Sequence, residues 1–591
     1  MVPAAARLSS IGPSPVGADR GRVHSVDVRR ERLGHDPGRH RLLADFGWAG
    51  DRAQGCRRGL PPNGAQHDRL VWQCRRTKAA MDLSQQTESR RLAASANLDV
   101  HRRASLGQFF TPEPVARLMA EMLHDLPGES VRILDPGAGI GSLSAAAVAQ
   151  ICASESDQRP IDLVAYEIDE ALHPRLAETL AECEQLVDSC GRRLSWKLRN
   201  GDYIEDVAGQ LTHRFGAREA EIFDAVIMNP PYRKINGGSP ERAALEAVGL
   251  RVSNLYTAFL ALASAQLSQD GLLVAITPRS FANGLYFEPF RHFFFDRVGP
   301  ERLHTFESRG SLFADADVLQ ENIIIAARRG KRPIDVELVL SRGVGDIPDR
   351  RIVPSTEVIR LDDRRRFLRI PSEIEDTRVA RVVAAMPCEL DNLGLAVSTG
   401  RVVDFRSREH LRDEPEADTA PLIYPGHLKG GVVRWPGGDG FRKPNALATN
   451  PETKKLLLPN ETYVLVKRFA AKEERKRVSA AITSSAYLPG DLVAFENHLN
   501  VFHRANHGLE PDLAHGLAAY LNSSLVDRYV RHFNGHTQIN ATDLRHLRYP
   551  SLEELSQLGC LVLTHGPEGQ DELDKLVNSF LPDAEVAAEA A

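Results

Sequence analysis

The chain has 591 residues, of which 42% are hydrophobic, and this is enough for two or three domains with buried cores. Its formal net charge of −5 gives no overall sign of a nucleic-acid partner, although it is compatible with a local basic groove. The seven cysteines include no Cys-x-x-Cys pair, which argues against structural zinc and a disulfide scaffold and favours a reducing, cytoplasmic setting.

Residues 1–80 differ in composition from the rest of the chain. They are rich in Arg, Gly, Pro and His, contain almost no Lys, and lack helical or strand periodicity, which predicts a disordered basic segment. Such a segment could act as a basic arm that grips nucleic acid. The ordinary composition that begins at Met81 favours a different interpretation, in which translation starts at Met81 and the segment is absent from the native protein.

A loop with two adjacent aromatic residues, Phe109 and Phe110, follows the helix-compatible residues 84–103. Thr111 and two prolines then lead into a predicted helix, whose apolar residues recur at helical spacing over residues 115–123. The aromatic pair could form the wall of a cofactor pocket, or it could pack as a hydrophobic staple at the start of the helix.

Residues 131–153 predict a Rossmann-type unit of strand, glycine turn and helix. The strand ends in Asp135, and the turn contains Gly137 and Gly139. A carboxylate at this position would repel a pyrophosphate, but it could pair with a ligand that carries an ammonium or sulfonium group. The glycines would let the backbone approach that ligand closely.

Two further predicted strands also end in acids. Residues 161–166 end at Glu167, an expected acceptor for ribose hydroxyl groups, and residues 194–198 lead to Asp202, which can accept from an adenine amino group. A single acid at a strand tip would more often be a helix cap or a solvated strand end. Three successive acidic tips favour a ligand that contains a nucleoside.

The tetrapeptide Asn229-Pro230-Pro231-Tyr232 follows the fourth predicted strand, where open α/β sheets bind ligands. The Asn229 side-chain oxygen and the Pro230 carbonyl oxygen could accept both hydrogens of an exocyclic amine and direct its lone pair toward an electrophile. Tyr232 offers a flat face to a planar base. The alternative is a strand-ending Asn-Pro turn that is closed by a core tyrosine.

In this order, the motifs resemble the gamma-group DNA adenine-N6 methyltransferases of bacterial restriction-modification systems. The resemblance covers about residues 100–330, and the segments that carry it are residues 107–112, 135–139, 167, 202, 229–232, 254–259, 271–278 and 318–327. It implies an α/β fold with a Rossmann-type class I S-adenosylmethionine-dependent methyltransferase domain, followed by a mixed α+β target-recognition domain.

The resemblance also implies a role for each candidate residue. The residues expected to line the S-adenosylmethionine pocket or to bind the cofactor's methionine, ribose and adenine parts are Phe109, Phe110, Thr111, Asp135, Gly137, Gly139, Glu167, Ile168 and Asp202. Asp135 and the two glycines would hold the methionine part, Glu167 the ribose, and Ile168 and Asp202 the adenine. The residues expected to act on an adenine flipped out of double-stranded DNA are Asn229, Pro230 and Tyr232.

The same resemblance predicts the domain organisation. Residues 81–335 would form the catalytic domain, residues 336–565 the DNA target-recognition domain, and residues 566–591 a frayed acidic tail. The recognition part contains polar, basic and aromatic clusters that could contact phosphates and base edges, or could be satisfied polar turns. These clusters are residues 398–404, 467–469, 496–500 and 533–540.

The predicted reaction is in-line transfer of a methyl group to adenine N6 in duplex DNA, which needs no metal. The protein would be the modification component of a restriction-modification system in the bacterial cytoplasm, associated with the nucleoid, with a separate cognate restriction endonuclease as partner and no nuclease motif of its own. The alternatives are methylation of RNA adenine or of a protein glutamine amide, and a catalytically idle DNA-binding relic. Pro387-Cys388 could serve cytosine-C5 methylation, but it has no companion motif and is interpreted as structural.

Overall fold

The structure of the chain is a computed structural model. The described residues are 64–97, 109–154, 157–212, 220–306, 322–330, 333–343, 346–360, 363–370, 374–438, 440–469, 476–533 and 538–582. From Arg69 onward they belong to one compact unit. Within these ranges, no helix combines the length and the apolarity that crossing a lipid bilayer requires.

A nine-stranded sheet forms the first part of this unit. Its strands are β1 (Val131–Pro136), β2 (Ile161–Glu167), β3 (Leu194–Asn200), β4 (Phe223–Met228), β5 (Leu267–Pro278), β6 (Val298–Phe306), β7 (Asn322–Arg329), β8 (Asp335–Ser341) and β9 (Asp349–Pro354). The strand order is β3-β2-β1-β4-β5-β7-β6-β8-β9, and β1 to β5 are parallel to one another. β7 runs antiparallel to both β5 and β6.

Helices cover both faces of this sheet. They are α1 (Gly64–Asn97), α2 (Glu113–Ala120), α3 (Ser142–Ala153), α4 (His173–Ser189), α5 (Tyr203–Leu211), α6 (Pro240–Ala247), α7 (Leu255–Ala265) and α8 (Glu288–Phe295). Adjacent strand residues point to opposite faces, so Ile133 packs with α1 to α4 and Leu134 packs with α5 to α8. Because both faces are covered, the central strands read as continuous apolar runs. The predicted Rossmann-type fold is confirmed.

Two smaller sheets follow. The six-stranded sheet has the order β10-β20-β17-β18-β14-β13 and the five-stranded sheet the order β11-β15-β12-β19-β16. In chain order their strands are β10 (Ala396–Thr399), β11 (Leu411–Arg412), β12 (Thr419–Ile423), β13 (Leu428–Lys429), β14 (Val432–Val433), β15 (Ala446–Ala448), β16 (Leu457–Pro459), β17 (Tyr463–Lys467), β18 (Ala480–Thr483), β19 (Leu492–Phe495) and β20 (Leu499–His503). Short strands with helices before and after them agree with the predicted α+β class.

The helices of this part lie before and after the two small sheets along the chain. They are α9 (Ser355–Val358), α10 (Ile374–Ala384), α11 (Pro511–Leu521), α12 (Ser524–Phe533), α13 (Ala541–Arg545), α14 (Leu552–His565) and α15 (Gln570–Asn578). Their apolar side chains share one core with β10, β17, β18 and β20.

The predicted limits of the disordered ends were wrong in part. Residues 64–80 are the first half of α1, because the second half of that helix is anchored by buried Leu83 and Ala94 and helix propagation is favourable once a turn exists. The tail contains α15, whose Val577 is buried in the core. Residues 1–63 and 583–591 lie outside the described residues.

The first sheet continues past the predicted domain boundary at residue 335. β8 pairs in parallel with β6, and β9 pairs with β8, so the sheet ends only at Pro354. Val336 and Val353 bury their side chains in the core of the catalytic sheet. We therefore propose that the division between the two halves lies after β9, and the domain assignment stays a prediction.

Two helices of the carboxyl-terminal part approach each other at a pair of glycines. A Cβ atom on Gly516 in α11 would lie 1.8 Å from the Leu555 carbonyl oxygen, and one on Gly559 in α14 would lie 1.7 Å from the Asp512 carbonyl oxygen. Both neighbours are backbone atoms of helices, so a methyl group fits only if the helices move apart. Glycine is therefore required by packing at both positions.

We expect Gly516→Ala to lower the free energy of unfolding by about 3 kcal/mol, because the added methyl group separates α11 from α14. Thermal unfolding followed by circular dichroism measures the change. Gly209→Ala is the matched control, since Gly209 is a helical glycine in α5 with open space around its Cβ position. That control should stabilise the chain slightly. Equal unfolding temperatures for both variants would contradict the packing argument.

Candidate active site

The carboxyl ends of the parallel strands β1 to β5 meet at one edge of the large sheet. This edge carries Asp135 at the end of β1, Glu167 at the end of β2, Asp202 after β3 and Asn229 directly after β4. The strand order β3-β2-β1-β4 puts these four positions in a row. The structure therefore brings the sequence-predicted acids and the tetrapeptide to a common edge.

The side-chain amide of Asn229 is held by the loop that contains the aromatic pair. Its Nδ2 donates to the Phe109 carbonyl oxygen at 2.9 Å and to Thr111 Oγ1 at 3.1 Å. Its Oδ1 accepts from the Tyr232 hydroxyl group at 2.9 Å. A carbonyl oxygen can only accept, so the atom that faces Phe109 must be the amide nitrogen. The hydrogen-bond network thus fixes which way the amide points.

Tyr232 is anchored beside Asn229. Its hydroxyl group lies 2.9 Å from Asn229 Oδ1 and 3.2 Å from the Ile276 carbonyl oxygen in β5. The ring centroid lies 6.0 Å from that of Phe109 and 6.3 Å from that of Tyr256. Burial raises the pKa of Tyr232 far above its usual value of 10, so the hydroxyl stays protonated and acts as a donor.

The carbonyl oxygen of Pro230 is the second candidate acceptor. Pro230 is buried, and its carbonyl accepts no hydrogen bond from the described residues. Two prolines in succession restrict this turn, because each fixes φ near −65°. The tetrapeptide therefore presents two neighbouring acceptors, the Asn229 Oδ1 and the Pro230 carbonyl, on a stiff backbone.

Asp135 is fully buried at the start of the glycine loop. One carboxylate oxygen accepts from Ser144 Oγ at 2.7 Å, while Oδ1 has no hydrogen-bond partner among the described residues. Burial raises the pKa of Asp135 to about 7, and the Ser144 hydrogen bond opposes that rise. An unpartnered buried oxygen would be satisfied by a cationic or N–H donor from a ligand, so the site fits the ammonium group of a methionine moiety.

The backbone of the glycine loop passes close to the Phe110 ring. Gly137 has φ +103° and Gly139 has φ +60°, values that side chains rarely adopt. A Cβ atom on Gly139 would lie 3.1 Å from Cδ1 of Phe110, so the aromatic ring closes directly over the loop. Phe110 also packs against Ala94, Ile140 and Leu172, and its role as a wall of the cofactor pocket stays a prediction.

Glu167 is hydrogen-bonded to the glycine loop and is also the residue predicted to bind the ribose. One carboxylate oxygen accepts from Gly139 N at 2.8 Å and the other accepts from Asp169 N at 2.7 Å. Burial raises the pKa of this carboxyl group. Each oxygen has a second lone pair, so ribose hydroxyl groups can still donate to it. Ile168 next to it is 50% exposed, which leaves an apolar face at the strand tip.

Asp202 performs the capping role that was the alternative interpretation. Its Oδ1 accepts from Ile204 N at 2.7 Å and Glu205 N at 3.1 Å, which caps α5. Burial raises the pKa of Asp202, and these two backbone hydrogen bonds act in the opposite direction. Oδ2 accepts no hydrogen bond from the described residues, so the cap leaves one oxygen for a ligand amino group.

Three contacts of this site were not foreseen from the sequence. Ser144 supports Asp135 from the first turn of α3, Tyr256 adds a third ring beside Tyr232, and Thr111 contacts Asn229. The signal for Ser144 is its position three residues after Gly141, on the first turn of the helix that follows the glycine loop. Nothing in the local sequence links Thr111 to Asn229, which is 118 positions away.

The predicted recognition clusters come together around β17 and β20. The backbone N of Arg468 donates to the His498 carbonyl at 2.9 Å, and Ile539 N donates to the Arg468 carbonyl at 2.7 Å. Asn500 Nδ2 donates to the Ile539 carbonyl at 2.8 Å. The rings of Phe469 and His498 lie 5.0 Å apart, and Phe469 is 42% exposed. Many polar groups of the recognition clusters are thus hydrogen-bonded to one another, while the Phe469 ring is partly exposed to solvent.

The cluster at residues 398–404 joins this group through Gly400. Its backbone N donates to the Leu499 carbonyl at 2.9 Å, and a Cβ atom there would lie 2.1 Å from the Glu496 carbonyl oxygen. Cys388 pairs with Tyr549 in an isolated bridge and packs on the carboxyl-terminal core, as expected for a structural residue. Residues 107–108, 318–321 and 534–537 of the predicted motifs lie outside the described residues.

Comparison with known proteins identifies the family of the chain. The family model of the Eco57I restriction-modification methylase matches residues 163–313. Type II methyltransferase M.PstI of Providencia stuartii is 39% identical, over 85% of this chain and 98% of that protein. M.BsuBI of Bacillus subtilis is 38% identical, over 81% and 94%. The solved structure of the Type IIL restriction-modification enzyme MmeI in complex with DNA is 11% identical, with a TM-score of 0.47 over 76% of this chain and 70% of that one. The chain therefore belongs to the Type II methyltransferases of restriction-modification systems, and its cofactor is S-adenosylmethionine.

Proposed function

We propose that this chain methylates the N6 atom of adenine in double-stranded DNA, with Asn229 and Pro230 as acceptors for the adenine amino group. The orientation of the Asn229 amide is the observation that carries the proposal. Phe109 and Thr111 hold the amide nitrogen, so Oδ1 is the side-chain atom that is left to accept from a substrate. Oδ1 can accept a second hydrogen bond in addition to that from Tyr232.

The two acceptors suit the chemistry of an aromatic amine. The amine is a weak nucleophile because its lone pair is delocalised into the ring. Hydrogen bonds from both of its hydrogens to Asn229 Oδ1 and the Pro230 carbonyl localise the pair on nitrogen, where charge changes during transfer. S-adenosylmethionine would supply the methyl group from its positively charged sulfonium. As the bond from N6 to the methyl carbon forms, the bond from sulfur to that carbon would break, and its electron pair would stay on sulfur as a neutral thioether. After transfer, N6 loses one proton to solvent and returns to neutrality.

The aromatic residues suit a flipped base. Tyr232 offers its ring face, and Phe109 and Tyr256 stand at its sides. Extrusion of a base from duplex DNA costs a few kcal/mol, and stacking on Tyr232 would offset part of that cost. The buried hydroxyl of Tyr232, bonded to Asn229 and Ile276, fixes the plane of the ring before the base arrives.

The cofactor roles of the remaining residues are part of the same proposal. Asp135 would pair with the ammonium group, the glycine loop would lie against the methionine part, and Glu167 would accept from the ribose. Ile168 and Asp202 would contact the adenine ring of the cofactor. A separate cognate restriction endonuclease would cut the unmodified sites.

Modification sequencing of plasmid DNA from a methylation-free bacterial host that expresses this chain tests the proposal. We expect N6-methyladenine at one recurring sequence, and its absence in cells that express Asn229→Ala. Protein that binds S-adenosylmethionine but leaves this DNA unmodified would contradict the proposal. In that case total RNA and protein from the same cells should be examined by mass spectrometry for methyladenine and methylglutamine.

A further inference from the structure

A cavity of about 400 Å³ lies outside the catalytic edge and is lined with arginines. Three of them, Arg360, Arg364 and Arg365, belong to the segment that follows the large sheet and α9. The fourth, Arg548, follows α13 in the carboxyl-terminal part, and the fifth, Arg369, forms an ion pair with Asp363. The cavity is therefore built by two segments that are far apart in sequence.

The acids of the cavity are already engaged within the chain. Asp363 forms an ion pair with Arg369 at 2.9 Å and also accepts from a backbone N–H group. The carboxylates of Asp543 and Glu389 accept backbone N–H groups in helix amino-terminal caps. None of these three carboxylates is hydrogen-bonded to the side chain of Arg360, Arg364, Arg365 or Arg548. Asp363, Glu389 and the nearby Glu288 nevertheless attract Arg365 electrostatically.

Apart from Arg369, the arginine side chains of the cavity have no ion-pair partner among the described residues. Arg364 is exposed, and the others are half-buried. Burial lowers the pKa of Arg365, and burial together with the nearby Arg365 and Arg545 lowers the pKa of His546 in the cavity wall to about 4. The lining thus has five arginines against three carboxylates, an excess of positive charge that an anionic ligand would neutralise.

The position of the cavity favours an extended ligand over a small anion. Asn283 in its wall follows the short helix Arg279–Ala282, which begins directly after β5 at the same sheet edge as Asn229. Ile539, which also lines the cavity, is hydrogen-bonded to the predicted recognition cluster at Arg468. The cavity that the arginines line is thus connected both to the sheet edge that carries the candidate catalytic residues and to a recognition cluster.

We propose that this arginine cavity binds backbone phosphates of the DNA duplex and so sets the position of the duplex between recognition and catalysis. The proposal rests on the proposed function, since it takes DNA as the substrate. Guanidinium groups match phosphate oxygens in a bidentate way, and contacts of this kind fix register without reading sequence. The expected effect of their loss is therefore equal for all DNA sequences.

The salt dependence of DNA binding measures such contacts. We expect Arg364→Gln combined with Arg548→Gln to reduce the slope of log Kd against log salt concentration by about 2, since each lost phosphate contact removes about 0.9 from the slope. At 0.1 M salt the affinity should fall by about a hundredfold, equally for cognate and noncognate duplexes. Fluorescence anisotropy with labelled 30-base-pair duplexes gives both quantities.

Two further variants separate charge from folding. Arg364→Lys keeps the positive charge and should retain most of the slope. Arg193→Gln removes an exposed arginine that precedes β3 at the opposite edge of the sheet, and it should leave the slope unchanged. The affinity for S-adenosylmethionine, measured by calorimetry, should be the same in all variants and shows that each is folded.

A wild-type slope in the double variant would overturn the proposal. If that variant also loses binding of a polyglutamate peptide, the cavity binds an acidic protein segment and the assignment to DNA is wrong. Methylation of DNA by the wild-type chain is scored separately. Absence of wild-type methylation and of DNA binding would refute the proposed function and this inference together, whereas normal methylation with an unchanged slope refutes the inference alone.

Discussion

Replacement of Asn229 by Ala is expected to lower the turnover number at least about a hundredfold and to leave the affinity for S-adenosylmethionine within about twofold of the wild-type value. The substitution removes the Oδ1 acceptor while the glycine loop and Asp135 keep their geometry. Single-turnover methylation of a duplex, with cofactor affinity from calorimetry, separates the two quantities. Equal losses of turnover and of cofactor affinity would contradict the assigned role of Asn229.

Asn229→Asp tests whether orientation matters beyond the presence of an acceptor. The aspartate has no N–H group for the Phe109 carbonyl, so one carboxylate oxygen would face an acceptor that now lies 2.9 Å from the amide nitrogen. The side chain must turn away, and we expect most of the activity to be lost. Activity close to wild type in this variant would show that the Phe109 contact does not orient the acceptor.

Thr111 provides a matched and smaller test of the same idea. Thr111→Val removes one of the two acceptors that hold the Asn229 amide nitrogen, and we expect turnover to fall about fivefold because one hydrogen bond contributes about 1 kcal/mol. Thr111→Ser keeps the hydroxyl group and should restore turnover. If Thr111 serves only the cofactor pocket, the valine variant will instead raise the Kd of S-adenosylmethionine with turnover unchanged.

The large sheet was predictable because local signals repeat along it. Apolar runs mark the central strands, acids or the asparagine mark their carboxyl ends, and parallel strands place those ends on one edge. This sufficed to bring Asp135, Glu167 and Asn229 together without the structure. The prediction stopped at the hairpin near residue 327, since nothing in the short strand Asp335–Ser341 shows that it adds to the sheet beside β6.

Contacts between distant segments could not be predicted from periodicity. The hydrogen bond from Asn229 to Thr111 depends on how the loop before α2 crosses the sheet edge, which no local pattern records. The same holds for the arginine cavity, where Arg360 and Arg548 meet across almost two hundred positions. The helix over residues 64–80 was missed for a different reason, since average composition hides a helix whose buried anchors, such as Leu83, lie beyond it.

Asp135 is expected to make the stability of the cofactor-free protein depend on pH. Its pKa rises from an ordinary value of 3.8 to about 7 on folding, so the folded state prefers the protonated form. The contribution of Asp135 to the free energy of unfolding is complete below about pH 4 and is lost as the pH rises to about 7. Relative to Asp135→Asn, the wild type should therefore lose roughly 2 to 3 kcal/mol of unfolding free energy between pH 5 and pH 8. Chemical denaturation at both pH values measures the difference.

The same titration should appear in cofactor binding with the opposite sign. The ammonium group of S-adenosylmethionine favours ionised Asp135, so the affinity of the wild type should fall as the pH drops below about 7, by up to about tenfold per pH unit. Asp135→Asn should bind weakly and without this pH dependence. Ser144→Ala removes a hydrogen bond that lowers the pKa of Asp135, and it should move the midpoint of the affinity profile to higher pH. A flat profile in the wild type, measured by calorimetry from pH 5.5 to 8.5, would mean that the buried carboxylate does not face the cofactor's ammonium group.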